Sequence, residues 1–234
     1  MSNIYDMLGQ YYDLLQRDYD YQKIVDMVNR YNHKPQAKLL DVGCGTGELL
    51  RLLGNYDYRL TGLDNSFTMV DIAYGKLLYS GVSTEGIVMG NIIGYKDNEK
   101  YDIITLTTDT LNYITNKKDI KSLGKTLANL LEDDGFIVID IQKPSNAKYF
   151  KNYNEINKVD VNKYIVWNSK KDNWYSNNVT HQFDLYVDDK LECSEVHHQT
   201  FKSPKYYASK WSKNLNLAHL EEDEYRYYMI FNKR

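Results

Sequence analysis

The sequence predicts a doubly wound α/β fold, a mostly parallel sheet with helices on both faces and a small antiparallel β insertion after the fifth strand. Three observations carry this expectation. Between residues 37 and 141, short apolar runs alternate with helical patterns, the order that gives a parallel sheet covered by helices. The first of those runs passes through a glycine-rich turn straight into a helix. After residue 141 the texture changes to period-two alternation, which reads as antiparallel strands.

The elements follow in order. Ile24, Met27, Val28 and Tyr31 share one helical face ahead of the first strand. Apolar runs at 37–42, 58–63, 86–89, 101–107 and 136–141 are the five strands. Between the last two, Ile120, Leu123, Leu127, Leu130 and Leu131 recur at helical spacing, with Asn116 placed to cap the start and Gly135 the end. A polar, irregular stretch is expected to about residue 162. Beyond it, strands at 179–187 and 191–201 form a hairpin through Asp188, Asp189 and Lys190. With three loop residues, Val187 faces Leu191, Leu185 faces Cys193 and His181 faces His197. From Pro204 a short helix leads to final strands at 215–219 and 225–231.

A chain of 234 residues accommodates one α/β domain with a modest insertion. The expected division is a core of residues 1–142 and 203–234, with residues 143–202 as the insertion capping a substrate. At 42% hydrophobic and 26% charged residues, composition disfavours disordered, collagenous and coiled-coil classes. No apolar run reaches the roughly 18 residues of a membrane span, and the opening residues lack the basic-then-apolar order of a secretory leader, so a cytoplasmic protein with no membrane partner is expected. Cys44 and Cys193 have no partners at metal-ligand spacing, which predicts neither zinc site nor disulfide framework. A net charge of −3 without a dense Lys/Arg block argues against nucleic acid as partner.

The chemistry is concentrated in Asp41, Val42, Gly43, Cys44, Gly45, Thr46 and Gly47, at the carboxyl end of the first strand. Glycines at alternate positions allow positive φ and let a ligand approach backbone without meeting a Cβ. A dinucleotide fingerprint would need its third glycine at position 48, where Glu48 stands. About 20 residues on, Asp64 ends the second strand, where a carboxylate can bind ribose hydroxyls; helix capping is the competing reading of that residue.

This block, with Asp64 and the later strand ends, resembles class I S-adenosylmethionine-dependent methyltransferases, a Rossmann-like family, and within it the small bacterial enzymes with an antiparallel insertion, similar to sugar-amine N-methyltransferases. The resemblance implies that S-adenosylmethionine binds, with S-adenosylhomocysteine as product, and that no metal is needed. It places Asp41, Gly43, Cys44, Gly45 and Gly47 along the methionine part of the cofactor, Asp64 on the ribose, Asn65 and Met69 near the adenine, and Asn91, Ile92 and Thr107 at later strand ends. Asn91 departs from the acid usual among relatives. Tyr12 and Tyr21 match the aromatic lid of the subgroup, although amphipathic packing explains them equally. The pattern Asp109, Asn112, Tyr113 matches the acceptor side, with turn and cap chemistry as the alternative. His197, or His198 if the match slips by one, corresponds to a histidine above the active site, and His181 shares its face. Asp109 and His197 are thus the catalytic candidates, and Asn112, Tyr113 and His181 the substrate contacts. The expected function is methyl transfer to a nitrogen or oxygen of a small-molecule acceptor. An NAD-dependent oxidoreductase and a non-catalytic cofactor-binding protein are the competing classes, and a protein acceptor stays open. The sequence does not specify an oligomeric state.

Overall fold

The computed structural model describes Tyr5 and residues 7–234; the first residues of the stretch read for a leader lie outside them. Five parallel strands, β1 (Ala37–Val42), β2 (Tyr58–Asp64), β3 (Ile87–Met89), β4 (Tyr101–Leu106) and β5 (Leu131–Gln142), form the centre. The chain then builds a separate antiparallel sheet from β6 (Asn152–Asp160), β7 (Lys163–Lys171), β8 (Asn178–Val187) and β9 (Lys190–Thr200). It returns as β10 (Leu215–Glu222) and β11 (Arg226–Lys233), antiparallel additions that complete a seven-stranded sheet in the order β10-β11-β5-β4-β1-β2-β3. The order reverses between β1 and β4, which opens the crevice where α/β folds bind ligands.

Six helices, α1 (Tyr12–Leu15), α2 (Tyr21–Tyr31), α3 (Glu48–Leu53), α4 (Phe67–Tyr79), α5 (Lys117–Leu130) and α6 (Pro204–Trp211), complete the regular structure of the described residues together with short 3₁₀ turns. Because side chains alternate across a strand, each central strand feeds two cores. Leu40, Val42, Ile104, Leu106, Ile137 and Ile139 pack against α5 and α6, whose Trp211 donates its indole N–H to the Ile120 carbonyl at 2.7 Å. Leu39, Ile103, Val138, Tyr228 and Ile230 pack against α2 and α3 on the other face.

Three boundaries differ from expectation. Asn116 does cap α5, accepting the Lys118 N–H, but the helix stops at Leu130, not at Gly135. Leu131 turns extended and pairs with Tyr101, and Gly135 lies inside β5 where a Cβ would sit 2.8 Å from the Asp102 carbonyl. The stretch expected to be irregular contains a 3₁₀ turn (Pro144–Lys151) and then β6, an edge strand whose only buried residue is the polar Asn157. It carries no apolar alternation for a sequence to show. The β8–β9 hairpin has a two-residue loop, because Asp188 and Asp189 both take positive φ (49° and 59°) as a tight primed turn requires. Val187 therefore faces Lys190 and Tyr186 faces Leu191, and a bulge then restores Leu185 opposite Cys193 and His181 opposite His197. Among the described residues, no helix is long and apolar enough to cross a membrane.

Candidate active site

The turn after β1 takes left-handed backbone at Gly43, Gly45 and Gly47 (φ 70°, 54° and 78°), which non-glycine residues adopt only at a cost. Each glycine does a different job. A Cβ on Gly43 would strike Thr110, one on Gly47 would press on Ala73 at 3.1 Å, and one on Gly45 would project into open space, with Tyr12 nearest at 3.8 Å. Gly45 is therefore where backbone is bared to a ligand. Its N–H donates to Asp64 Oδ2 at 2.9 Å, while Ser66 N–H donates to Oδ1 at 2.9 Å, so both oxygens are fixed and keep lone pairs for a further donor. Burial raises the Asp64 carboxyl above its usual range, opposed by the Ser66, Gly45 and Asn65 N–H groups.

This cradle opens onto a cavity of about 400 Å³ at the carboxyl ends of the strands. Gly43, Gly45, Asp64, Asn65 and Met69 line one end with Asn91 and Ile92, and Tyr5, Tyr12, Thr108, Thr110 and Tyr113 close the other parts. Among the described residues, none of those lining it is Lys or Arg. The Asn91 side-chain oxygen accepts the Ile93 N–H at 2.8 Å, which leaves its NH₂ free to donate.

Past β4, Thr108 and Asp109 both take positive φ (50° and 68°), a strained pair that persists only where neighbours fix it. Arg226 is that neighbour. Its guanidinium pairs with Asp109 at 2.7 Å and with Asp140, and stacks over the Tyr19 ring at 4.9 Å. Burial pushes the Asp140 carboxyl up while Arg226 pulls it down. Asn112, fully buried, donates to the Thr200 carbonyl at 3.1 Å and accepts the Gln142 N–H at 3.2 Å, joining the turn to the exit of β5 and the end of β9.

The two face-sharing histidines have different surroundings. His181 Nδ1 accepts from Trp167 Nε1 (3.2 Å) and contacts Ser169 Oγ (2.7 Å), and burial lowers its pKa to about 4, so it is neutral and enclosed by aromatic rings. His197 Nδ1 lies 3.1 Å from the Tyr113 hydroxyl and its Nε2 3.2 Å from Glu195 Oε2. Burial pushes the Tyr113 phenol up to about 12, which keeps it a donor. Tyr5 packs edge-on against His197, Tyr12 and Tyr113, with ring centroids 4.7, 5.7 and 6.0 Å away.

Of the residues expected from the sequence, Tyr12, Gly43, Gly45, Asp64, Asn65, Met69, Asn91, Ile92 and Tyr113 line the cavity. Asp41, Cys44, Gly47 and Thr107 lie behind it. Asp41 accepts the Thr105 hydroxyl at 2.7 Å, Cys44 is buried in the α2–α3 core, and the Thr107 carbonyl accepts from Thr110. Tyr21 packs on Tyr19 at 4.6 Å, away from the cavity lining. Asp109, Asn112, His181 and His197 sit in the supporting layer, and His198 reaches the rim. Sequence reasoning missed Tyr5, Thr108 and Thr110 as lining residues, Glu195 as a buried charge and Arg226 as a partly buried one. The density of hydroxyls in Thr107, Thr108 and Thr110 beside Asp109 was the one available signal. Among the described residues no group of three or more His, Cys, Asp or Glu is placed to hold a metal ion.

Known proteins share the fold and, over part of the chain, the sequence. A putative methyltransferase of Geobacillus sp. (strain WCH70) is 28% identical over 141 residues, 58% of this chain and 57% of that protein. The chain thus spans little more than half the length of that curated relative. An S-adenosylmethionine-dependent methyltransferase from Clostridium acetobutylicum superposes with a TM-score of 0.81 at 21% identity, over 97% of this chain and 98% of that one. The sugar N-methyltransferase KedS8 from a Streptoalloteichus species gives 0.75 at 20% identity, over 100% and 97%. The family described as the methyltransferase domain matches residues 15–192, and the chain belongs to that family.

Proposed function

We propose that the chain transfers a methyl group from S-adenosylmethionine to a nitrogen or oxygen of a small-molecule acceptor. One observation carries the reading: Gly45 bares its backbone to a cavity beside a carboxylate held by two N–H groups, its own among them. That arrangement fits an adenosyl ligand. The bared turn admits the methionine part, Asp64 accepts from ribose hydroxyls, and Asn65, Met69, Asn91 and Ile92 form a slot for the base, where the free NH₂ of Asn91 suits ring nitrogens.

When bound, the cofactor supplies an electrophilic methyl carbon. The chain's own task is to align the acceptor and exclude water, which orientation alone accelerates greatly. Tyr5 and Tyr12 cover the cavity with aromatic faces that attract a sulfonium. Tyr113 directs its hydroxyl group at the acceptor side, and the antiparallel sheet of residues 143–202 acts as the cap over it. A described lining without Lys or Arg favours a neutral or cationic acceptor over phosphate-bearing nucleic acid. KedS8, of like architecture, is a sugar N-methyltransferase, and a sugar amine is the acceptor class we infer. A metal is not required for displacement at carbon, and the setting we infer is the cytoplasm.

Calorimetric titration with S-adenosylhomocysteine tests the reading. Binding is expected, weakened about 10- to 100-fold in Asp64→Ala, the scale of hydrogen bonds to a charged group. Silence at millimolar concentration would withdraw the proposal.

A further inference from the structure

The N-terminal strap, Tyr5 with residues 7–15, bridges the two sheets and supplies two of the cavity's aromatic walls. On the parallel-sheet side, Asp13 accepts from Thr46 Oγ1 and Lys76 Nζ, both at 2.6 Å. On the antiparallel side, Leu8 is buried with Ile165, Phe183 and Leu185. The strap's backbone is held there by one side chain. The carboxylate of Glu195 accepts the N–H groups of Tyr5 (3.1 Å), Leu8 (3.2 Å) and Met7.

The same carboxylate faces His197 Nε2 at 3.2 Å. Burial pushes the Glu195 pKa up, but His197 and the Met7 and Leu8 N–H groups outweigh burial and hold it below the usual range, so it is ionised and can only accept. Nε2 must therefore carry a hydrogen. In the neutral ring Nδ1 is then a bare acceptor and the Tyr113 hydroxyl donates to it, which leaves the Tyr113 oxygen an acceptor at the cavity wall, beside the Tyr5 and Gln199 side chains.

We propose that Glu195 is a positioning residue that ties the strap over the cavity and, through the same carboxylate, fixes the His197 tautomer that turns the Tyr113 oxygen toward an acceptor N–H or O–H. The catalytic consequence rests on the methyl-transfer reading above; the coupling itself does not. If the strap lifts, Glu195 loses three donors at once and the His197–Tyr113 pair loses the fixed partner that orients it. Docking of the strap and readiness of the acceptor side are one event.

The test uses the full chain without added ligand. Amide hydrogen exchange at Tyr5, Met7 and Leu8 and the ¹⁵N signals of the His197 ring are measured in wild type and in Glu195→Gln. Wild type is expected to show protected amides and a single Nε2–H tautomer. In Glu195→Gln the three amides are expected to exchange about 10- to 100-fold faster, the scale of lost charge-assisted bonds, and the His197 signals to move toward tautomer averaging. Leu8→Ala loosens the strap without touching the carboxylate and is expected to do both in milder degree; it decides the matter should Glu195→Gln not fold. Faster exchange with an unchanged His197 tautomer in either variant overturns the coupling, as does unchanged exchange. A failure to bind S-adenosylhomocysteine leaves these readouts intact, so the two proposals fail separately.

Discussion

Asp41 and Asp64, on adjacent strands, are buried carboxyl groups with different supports. Asp64 receives backbone N–H groups, whereas Asp41 has the Thr105 hydroxyl and little else. Burial accordingly raises Asp41 to about 7, opposed by that hydroxyl and reinforced by the Asp64 charge. A carboxyl raised in the folded state binds more protons there than in the unfolded chain between roughly pH 4 and 7. Stability contributed at this residue is therefore full below pH 4, falls as pH rises to 7, and is flat beyond. The expected amplitude is on the order of 4 kcal/mol. Denaturant melts of wild type and Asp41→Asn at pH 4.5 and 8 check this: the wild-type stability should drop more between the two than that of the variant, whose carboxamide has no proton to lose.

The β1–α3 turn gives an element-level contrast, because its glycines share a conformation and differ in what surrounds them. Gly45→Ala is expected to cost about 1 kcal/mol through positive φ alone, leave the fold intact, and weaken S-adenosylhomocysteine by pointing a methyl into the cavity. Gly43→Ala should destabilise further, since its methyl meets Thr110 within the protein. Thermal melts paired with calorimetry separate the two. This turn was legible in the sequence, because glycine is the residue that marks such backbone, and the five parallel strands were legible because each is an apolar run. The strained Thr108–Asp109 pair left no such mark: neither residue type reports left-handed backbone by itself, and the restraint comes from Arg226, 117 residues beyond Asp109 in the chain. Glu195 was hidden for the same reason, since its partners are backbone N–H groups that any residue would present. Strand β6 was invisible because its inward face mixes Tyr153 and Val159 with Glu155 and Asn157, while the apolar Ile156 faces solvent. The hairpin was anticipated one residue too long, although the His181–His197 pairing came through, because the bulge compensates the shorter loop.

Across the whole molecule, charge reinforces segments that sheet pairing and packing already join. Arg226 on β11 binds Asp140 on β5 and Asp109 beyond β4, tying the last strand to the wall of the cavity. Removing one partner of a buried ionic cluster typically costs about 3–5 kcal/mol because the others are left uncompensated. Arg226→Met is expected to lose stability on that scale in urea melts, and to lose less at pH 5 than at pH 8, since protonation of Asp140 relieves the exposed repulsion. Asn112 plays the matching neutral part. Its oxygen takes hold of the chain where it leaves β5 and its nitrogen where β9 ends, so one carboxamide is the rivet for the entire excursion. When such excursions are exchanged between relatives, Gln142 and Thr200 are the natural seams: a graft joined there inherits its alignment from a part that stays behind in the host.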